Sequence, residues 1–443
     1  MKINISEHFD LKKLLKYCLS PVSMMVFSSL YSVIDGIMVS NAVGKNAMAA
    51  VNIIWPMVMI IGSIGFMIGA GGSAQIAKTL GEKREREANE IFTFLVLSII
   101  VSGLVLSALA IVNIERLSYL FGSNDLLLPL CKQYGISMLS FTTMFMVQCA
   151  FQNYCSTSGK PSVGFVSTIA SGIVNIVLDY LFIVVFKMGI LGAGIATGLG
   201  CTVGGVIPMV YYLLPNSSSL RFCKTRFYFN ELMNSCSNGI SEMLTNVSSS
   251  FVAALFNIRI MALIGEDGVS AYSIISYTDY VFKAILLGVS IAVAPIVSYN
   301  YGAQNKKELK NVYKLSLLLI IVCSIFMFVV PQMSANVIAR IFVSNDQQLL
   351  SLTTRAMKIY SLGYFFCGIN IFASSFFTAL CNGKLSALIS SIRSFIIPVV
   401  AITVLSYVFG IDGIWFTIPI SEIITFTFSS IIILVNGKDY GYR

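Results

Sequence analysis

Residues 171–186 read Ser-Gly-Ile-Val-Asn-Ile-Val-Leu-Asp-Tyr-Leu-Phe-Ile-Val-Val-Phe, an apolar run with one carboxylate, Asp179, in its middle. Asn175 stands one helical turn earlier, so the two side chains share a face at i, i+4 spacing. In hydrocarbon an ionised Asp costs at least several kcal/mol, depending on depth, and must face the protein interior with a partner. A protonated Asp satisfied by Asn175 alone is the bland reading. An acid inside a membrane span is by default a functional candidate.

Composition makes the membrane the right solvent. Of 443 residues, 56% are apolar and 11% charged, against roughly 25% charged in ordinary soluble domains. Apolar runs of about 20 residues, long enough to cross the hydrocarbon core, recur throughout. The fold class expected is an all-α polytopic membrane protein. Lys12, Lys13 and Lys16 precede one long hydrophobic stretch without a small-residue cleavage site, so no signal peptide is expected. The ten cysteines include Cys149, Cys155, Cys201, Cys323 and Cys367 inside apolar runs, with no C-x-x-C pair. They read as small hydrophobes and not as a disulfide framework or metal site.

Twelve spans are expected, near 14–39, 48–77, 90–112, 128–157, 162–186, 190–214, 232–262, 268–297, 312–334, 353–380, 385–409 and 413–436. Nineteen basic residues fall at one end of these spans and eight at the other. By the positive-inside rule both termini are cytoplasmic, and the net charge of +9 is a topology signal that calls for no nucleic acid.

The chain also repeats itself. Gly44 heads Gly-Lys-Asn-Ala-Met-Ala-Ala and Gly265 heads Gly-Glu-Asp-Gly-Val-Ser-Ala, 221 residues apart (265 − 44). The same offset relates Gly81 to Gly302, Gly192 to Gly413, and Phe121-Gly-Ser-Asn-Asp125 to Phe342-Val-Ser-Asn-Asp346. One offset across six spans indicates duplication. Six spans per copy make the repeats parallel, with a substrate cavity expected between them. The expected division is a lobe at 1–212, a cytoplasmic linker at 213–230 and a second lobe at 231–443.

The first half runs through Pro21, Asp35-Gly36, Gly44, Ala50, Pro56, Gly65, Gly69, Gly71, Gly72, Gln75 and Gly81-Glu-Lys. The second carries Pro295-Ile-Val-Ser-Tyr-Asn-Tyr-Gly-Ala-Gln-Asn305. Over essentially the whole chain this resembles the multidrug and toxic compound extrusion (MATE) family. The glycine-rich second span and the Tyr-Gly-Ala-Gln-Asn segment are its more specific marks. The resemblance implies two pseudo-symmetric six-helix lobes in a V shape and cation-coupled export of organic cations from the bacterial cell membrane. Within the family it is similar to the bacterial MepA-type branch.

Depth supports a partner for Asp179. Asp35 lies late in the first span, and Asp179 lies seventeen residues beyond Ser162 in a span of the same sense, so both reach the outer half. Carried over from the family, the cation or proton site comprises Asp35, Asn175, Asp179 and Thr197, with Asn153 as a further candidate. Hard oxygens suit Na+, and two adjacent carboxylates do not both ionise cheaply without a cation, so a proton is the alternative. Solvation of Asp35 at the outer interface is the competing reading.

The second half offers Glu242 and Glu422, both near mid-depth, and Asp279 as candidate acids of a substrate cavity, with Tyr31 of the first span as a further candidate. Asp279 and Lys283, at i, i+4, are expected to form an intrahelical pair. The resemblance places an acid like Glu242 near the substrate path. The span 353–380 lacks the Asp or Glu that the NorM-type branch carries there, which argues against a NorM-type sodium site. Arg393 needs a carboxylate or carbonyl partner that spacing does not identify. Tyr31, with Tyr180, Tyr277 and many Met and Phe residues, suits flat organic cations through packing and cation–π attraction.

Other classes fit less well. The single histidine, His8, lies outside the spans, which excludes His-based dyads and metal sites within them, and no G-x-x-x-x-G-K-[ST] motif is present. The chain is therefore expected to be a transporter and not an enzyme, with no cofactor beyond the coupling ion. A flippase for lipid-linked oligosaccharides would call for several cavity Arg and Lys, yet the basic residues embedded deep in the membrane are few (Lys283 and Arg393) and the acids more numerous. The expected partners are small organic cations and drugs and the bilayer, with the monomer as the working unit.

Overall fold

The computed structural model describes residues 5–343 and 346–443. Lys2, and Ser344 and Asn345 of the second Phe-x-Ser-Asn-Asp copy, lie outside the described residues. Within them the elements are helices joined by short connections, with no strand. The first half comprises α1 (Leu11–Val43), α2 (Lys45–Gly81), α3 (Glu85–Val112), the short α4 (Ile114–Leu120), α5 (Leu128–Thr157), α6 (Pro161–Asp179) and α7 (Gly189–Leu213). A π-turn, Tyr180–Val185, extends α6.

The second half comprises α8 (Phe229–Leu263), α9 (Glu266–Gly302), α10 (Lys306–Phe342), α11 (Gln347–Tyr360), α12 (Tyr364–Ala379), α13 (Gly383–Ser391) and α14 (Ile397–Tyr440). A second π-turn, Ile392–Ile396, joins α13 to α14. Polar residues start several helices by accepting from their first turn: Asp10 from Lys13 N, Asp346 from Leu349 N, and Asn382 from Leu385 N. Among the described residues, eleven continuous helical stretches are long and apolar enough to span a bilayer. The longest counts twice, because Gly410 adopts φ 57° and ψ −129° inside it and breaks the helix. Twelve crossings result, with the break falling between the expected spans 385–409 and 413–436.

Backbone geometry repeats with the sequence. Left-handed φ values occur at Gly44 and Gly265, at Lys83 and Gln304, and at Gly189 and Gly410, each pair 221 residues apart (304 − 83; 410 − 189). The Lys83 and Gln304 pair is notable because the residue types differ while the turn is kept.

Among the described residues two large apolar cores form, beside a small third one at Ile183 and Ala193. One gathers side chains from Ala47 to Leu220. The other runs from Val252 to Tyr442 and also takes in Ile5, Phe9, Leu14, Tyr17 and Cys18, so the start of α1 packs in the second half. At the face of the bundle that carries both termini, the halves meet backbone to backbone. A Cβ on Gly71 would overlap the Ser235 carbonyl, and one on Gly239 would overlap that of Met67. Ser235 Oγ donates to Gln75 Oε1 at 2.7 Å across this junction.

The connection between α7 and α8 lies along α3. Arg221 N donates to Asn89 Oδ1 (2.6 Å), Cys223 N to Thr93 Oγ1 (3.1 Å) and Tyr228 OH to Glu90 Oε2 (2.6 Å). The hydrogen bond to Glu90 pushes the Tyr228 phenol up to about 12, so it stays the donor. Leu220 is fully buried.

Candidate functional site

Helices α1 and α6 meet along complementary faces. Phe27, Tyr31 and Asp35 recur at four-residue intervals on α1, and Gly172, Asn175 and Asp179 line α6. Gly172 makes the close approach feasible, since a Cβ there would lie 2.7 Å from Phe27 Cε1 and 3.0 Å from Tyr31 Cδ1. On the other flank, a Cβ on Gly200 of α7 would stand 2.9 Å from Asn175 Cβ. Two glycines thus let three helices close around one polar cluster.

Within it, Asn175 Nδ2 donates to Asp179 Oδ2 at 3.1 Å and to Thr197 Oγ1 at 3.4 Å. Thr197 donates onward to the Ala193 carbonyl at 3.0 Å. The Asp35 side chain faces both Asp179 and Asn175. Asp179 is 0% exposed and Asn175 2%, while Asp35 is half-buried. Three buried oxygens, Asp35 Oδ1, Asn175 Oδ1 and Asp179 Oδ1, have no donor among the described residues. A set of lone pairs facing two acids is completed by something positive, either a proton or a small hard cation.

Among the described residues no side-chain hydrogen bond links Asn153 to this set, and it lies one turn from the end of α5. Gln148 of α5, absent from the sequence reading, stands closer in kind. Its Nε2 donates to Ser171 Oγ at 3.2 Å, one turn before Asn175, and its Oε1 is buried without a donor. An amide one helical turn before Gln152, flanked by Val147 and Cys149, was the signal that could have found it.

The second-half acids are arranged differently from expectation. Glu422 of α14 is not a free cavity acid: Arg393 Nε lies 3.1 Å from Oε1 and 3.3 Å from Oε2. Asn370 Nδ2 supports the pair, donating to Glu422 Oε2 at 2.7 Å, and Arg393 Nη2 donates to Cys367 Sγ at 3.3 Å. Arg393 lies in the π-turn Ile392–Ile396, which locally changes the helical register, a feature frequent at functional positions. Asp279 and Lys283 form the expected pair at 2.8 Å. That pair and Arg393–Glu422 interact electrostatically, so four charges that sum to zero share one region. Glu242 is half-buried and, among the described residues, carries no side-chain hydrogen bond or ion pair; Arg393 is the charge that acts on it. Tyr31 does not join these acids, because it packs on Gly172 below Asp35.

The sequence profile of the MatE family matches residues 21–181 and 242–404, well over half of the chain. The chain belongs to the MatE family. It is 23% identical over 411 residues to the multidrug export protein MepA of Staphylococcus saprophyticus, covering 90% of this chain and 89% of that one. It is 24% identical over 409 residues to MepA of Staphylococcus haemolyticus, with coverages of 90% and 88%. Among solved structures, a MATE protein in complex with MaL6 superposes with a TM-score of 0.90 at 19% identity, over 97% of this chain and 98% of that one. An outward-facing multidrug resistance MATE family transporter of the MOP superfamily superposes with a TM-score of 0.89 at 19% identity, with the same coverages. On this MatE scaffold the duplicated backbone carries two unlike sites. Stepping 221 residues on from Asp35 and Asp179 reaches Phe256 and Val400, so the second half has no copy of the carboxylate pair.

Proposed function

We propose that this MatE protein is a secondary exporter of organic cations, working by antiport against Na+ or H+. The supporting observation is the buried Asp35–Asn175–Asp179–Thr197 cluster, with three acceptor oxygens left open, inside a fold shared with relatives named as multidrug export proteins. Two neighbouring acids hold one proton or one small cation more readily than two bare charges. Occupancy of that site biases the halves, 1–212 and 231–443 joined through 213–230, between outward-open and inward-open arrangements. The termini are cytoplasmic, and the protein sits in the bacterial cell membrane. Glu242 offers the cationic substrate a carboxylate, while Lys283 and Arg393 are each engaged by an acid and offer little to a pyrophosphate-linked lipid.

Reconstituted vesicles supply the test. Uptake of a cationic dye driven by an imposed Na+ gradient or an imposed pH gradient supports antiport and names the ion. Transport indifferent to both gradients overturns it.

A further inference from the structure

The start of the chain makes contacts that the exporter reading leaves unused. Phe9 is 0% exposed and Ile5 3%, and both are seated in the core of the second half. Glu308, in the first turn of α10, receives Phe9 N on Oε1 at 2.9 Å and contacts His8 Nδ1 through Oε2 at 2.6 Å. Asn311, one turn on, donates to the Phe9 carbonyl at 2.8 Å and to Glu308 Oε1 at 3.1 Å. Both backbone polar groups of Phe9 are therefore met by α10 side chains. Lys13 closes the other side, donating to the His8 carbonyl at 3.1 Å and lying 5.2 Å from the Phe9 ring centroid.

Eight residues after Phe9, the same segment reaches back to the first half. The Tyr17 ring packs edge-on against Phe9, 5.9 Å between centroids, while its hydroxyl donates to the Ser156 carbonyl of α5 at 2.5 Å. Farther along, α1 packs on α6 at the carboxylate cluster. One helix is thus shared between the halves: its first residues and its packing along α9, closest where Val22 meets Gly288, fasten it to the second half, and its packing on α6 fastens it to the first.

We propose that residues 5–10 are a strap that fastens α1 to α10 and holds the cytoplasmic side closed. The idea rests on the alternating-access reading above. Halves that part at this face must unseat Phe9 or break its contacts with Glu308 and Asn311. The strap therefore favours the arrangement in which the cytoplasmic ends are together, and its release is a step in opening inward. It borders the junction where Gly81 meets the Tyr299 carbonyl and Gly302 that of Lys78, the segments expected to open with it.

Hydrogen–deuterium exchange of the full-length protein in lipid nanodiscs tests this at peptides covering residues 75–84 and 298–305. Phe9→Ala and Glu308→Ala are expected to raise exchange there at least about threefold, because local opening sets the rate. Phe9→Leu, which refills the apolar seat, is expected to stay near the parent. His8→Gln, at an exposed position that does not threaten folding, is expected to give a smaller rise. Parental protection in both alanine variants overturns the strap, and so does an even rise across all peptides, which signals general loosening. If the parent itself shows no change in these peptides with Na+, pH or tetraphenylphosphonium, the alternating-access reading fails and the strap with it. A responsive parent with unaltered strap variants removes the strap alone.

Discussion

Gly81 and Gly302 occupy equivalent positions in the two halves, and each lies against the other's helix through the same contact. A Cβ on Gly81 would overlap the carbonyl of Tyr299, and one on Gly302 would overlap that of Lys78. Lys78 and Tyr299 each stand three residues before their own glycine, so the contact is its own image under the 221-residue offset (299 − 78). The duplication axis therefore passes through this junction, and two bare backbones are what let α2 and α9 touch there.

Gly81→Ala and Gly302→Ala are expected to push these helix ends apart, because a backbone carbonyl does not swing away as a side chain can. Overpacking of this kind costs about 1–3 kcal/mol. Each variant should lower the thermal unfolding temperature in detergent and reduce dye efflux, with the double variant less than additive because the two changes relieve one contact. Parental stability in both single variants would show that the junction has slack.

The Arg393–Glu422 pair makes a second stability prediction. Both side chains are nearly buried, at 12% and 7% exposure. Removing one member leaves an unpaired charge, at a cost of about 3–5 kcal/mol, whereas replacing both with apolar residues is often close to neutral. Arg393→Met and Glu422→Met should therefore each be much less stable than the double variant, as read by thermal unfolding. A double variant no more stable than the worse single one argues against a direct pair.

Several of these relationships could be read from the chain and others could not. Asp179 with Asn175 was legible because i, i+4 spacing is local, and Gly44 with Gly265 because both copies kept the glycine that positive φ favours. Lys83 and Gln304 share the same turn without sharing a residue type, which sequence comparison does not register. Arg393 finds Glu422 through a π-turn and a crossing of two helices, neither of which has a fixed spacing. Phe9 and His8 sit in a short segment before the first span, where apolar periodicity carries no information. Asn370 is a neutral amide whose role depends on Glu422, 52 residues away, so its own span gives no sign of it.

Glu242 yields a functional prediction. Its carboxyl is unpaired among the described residues, and Arg393, the charge that acts on it, is already engaged by Glu422. Glu242→Gln should reduce export of cationic dyes while leaving membrane abundance and the export of neutral substrates unchanged. Equal loss for cationic and neutral substrates would assign Glu242 to the scaffold instead.

Asp179→Asn is the sharpest test of the carboxylate cluster. The substitution keeps the shape and the hydrogen-bonding reach toward Asn175, and it removes the charge, so the position behaves as a permanently neutral acid. With one carboxylate left, Asp35 has no like charge beside it and no second anionic ligand to share a cation with. Coupling free energies between sites are typically about 1–3 kcal/mol, so gradient-driven efflux should fall about 5- to 150-fold. Substrate affinity should change little, because no substrate contact depends on Asp179. Asn175→Ala removes a neutral ligand and the link to Thr197 and should reduce coupling less. Gly200→Ala, whose Cβ crowds Asn175 and the Ser171 carbonyl from α7, should resemble Asn175→Ala more than Asp179→Asn. Efflux measured in vesicles under one fixed gradient ranks the three variants. Parental efflux in Asp179→Asn would move the coupling ion away from this cluster and leave the buried pair as an element of packing.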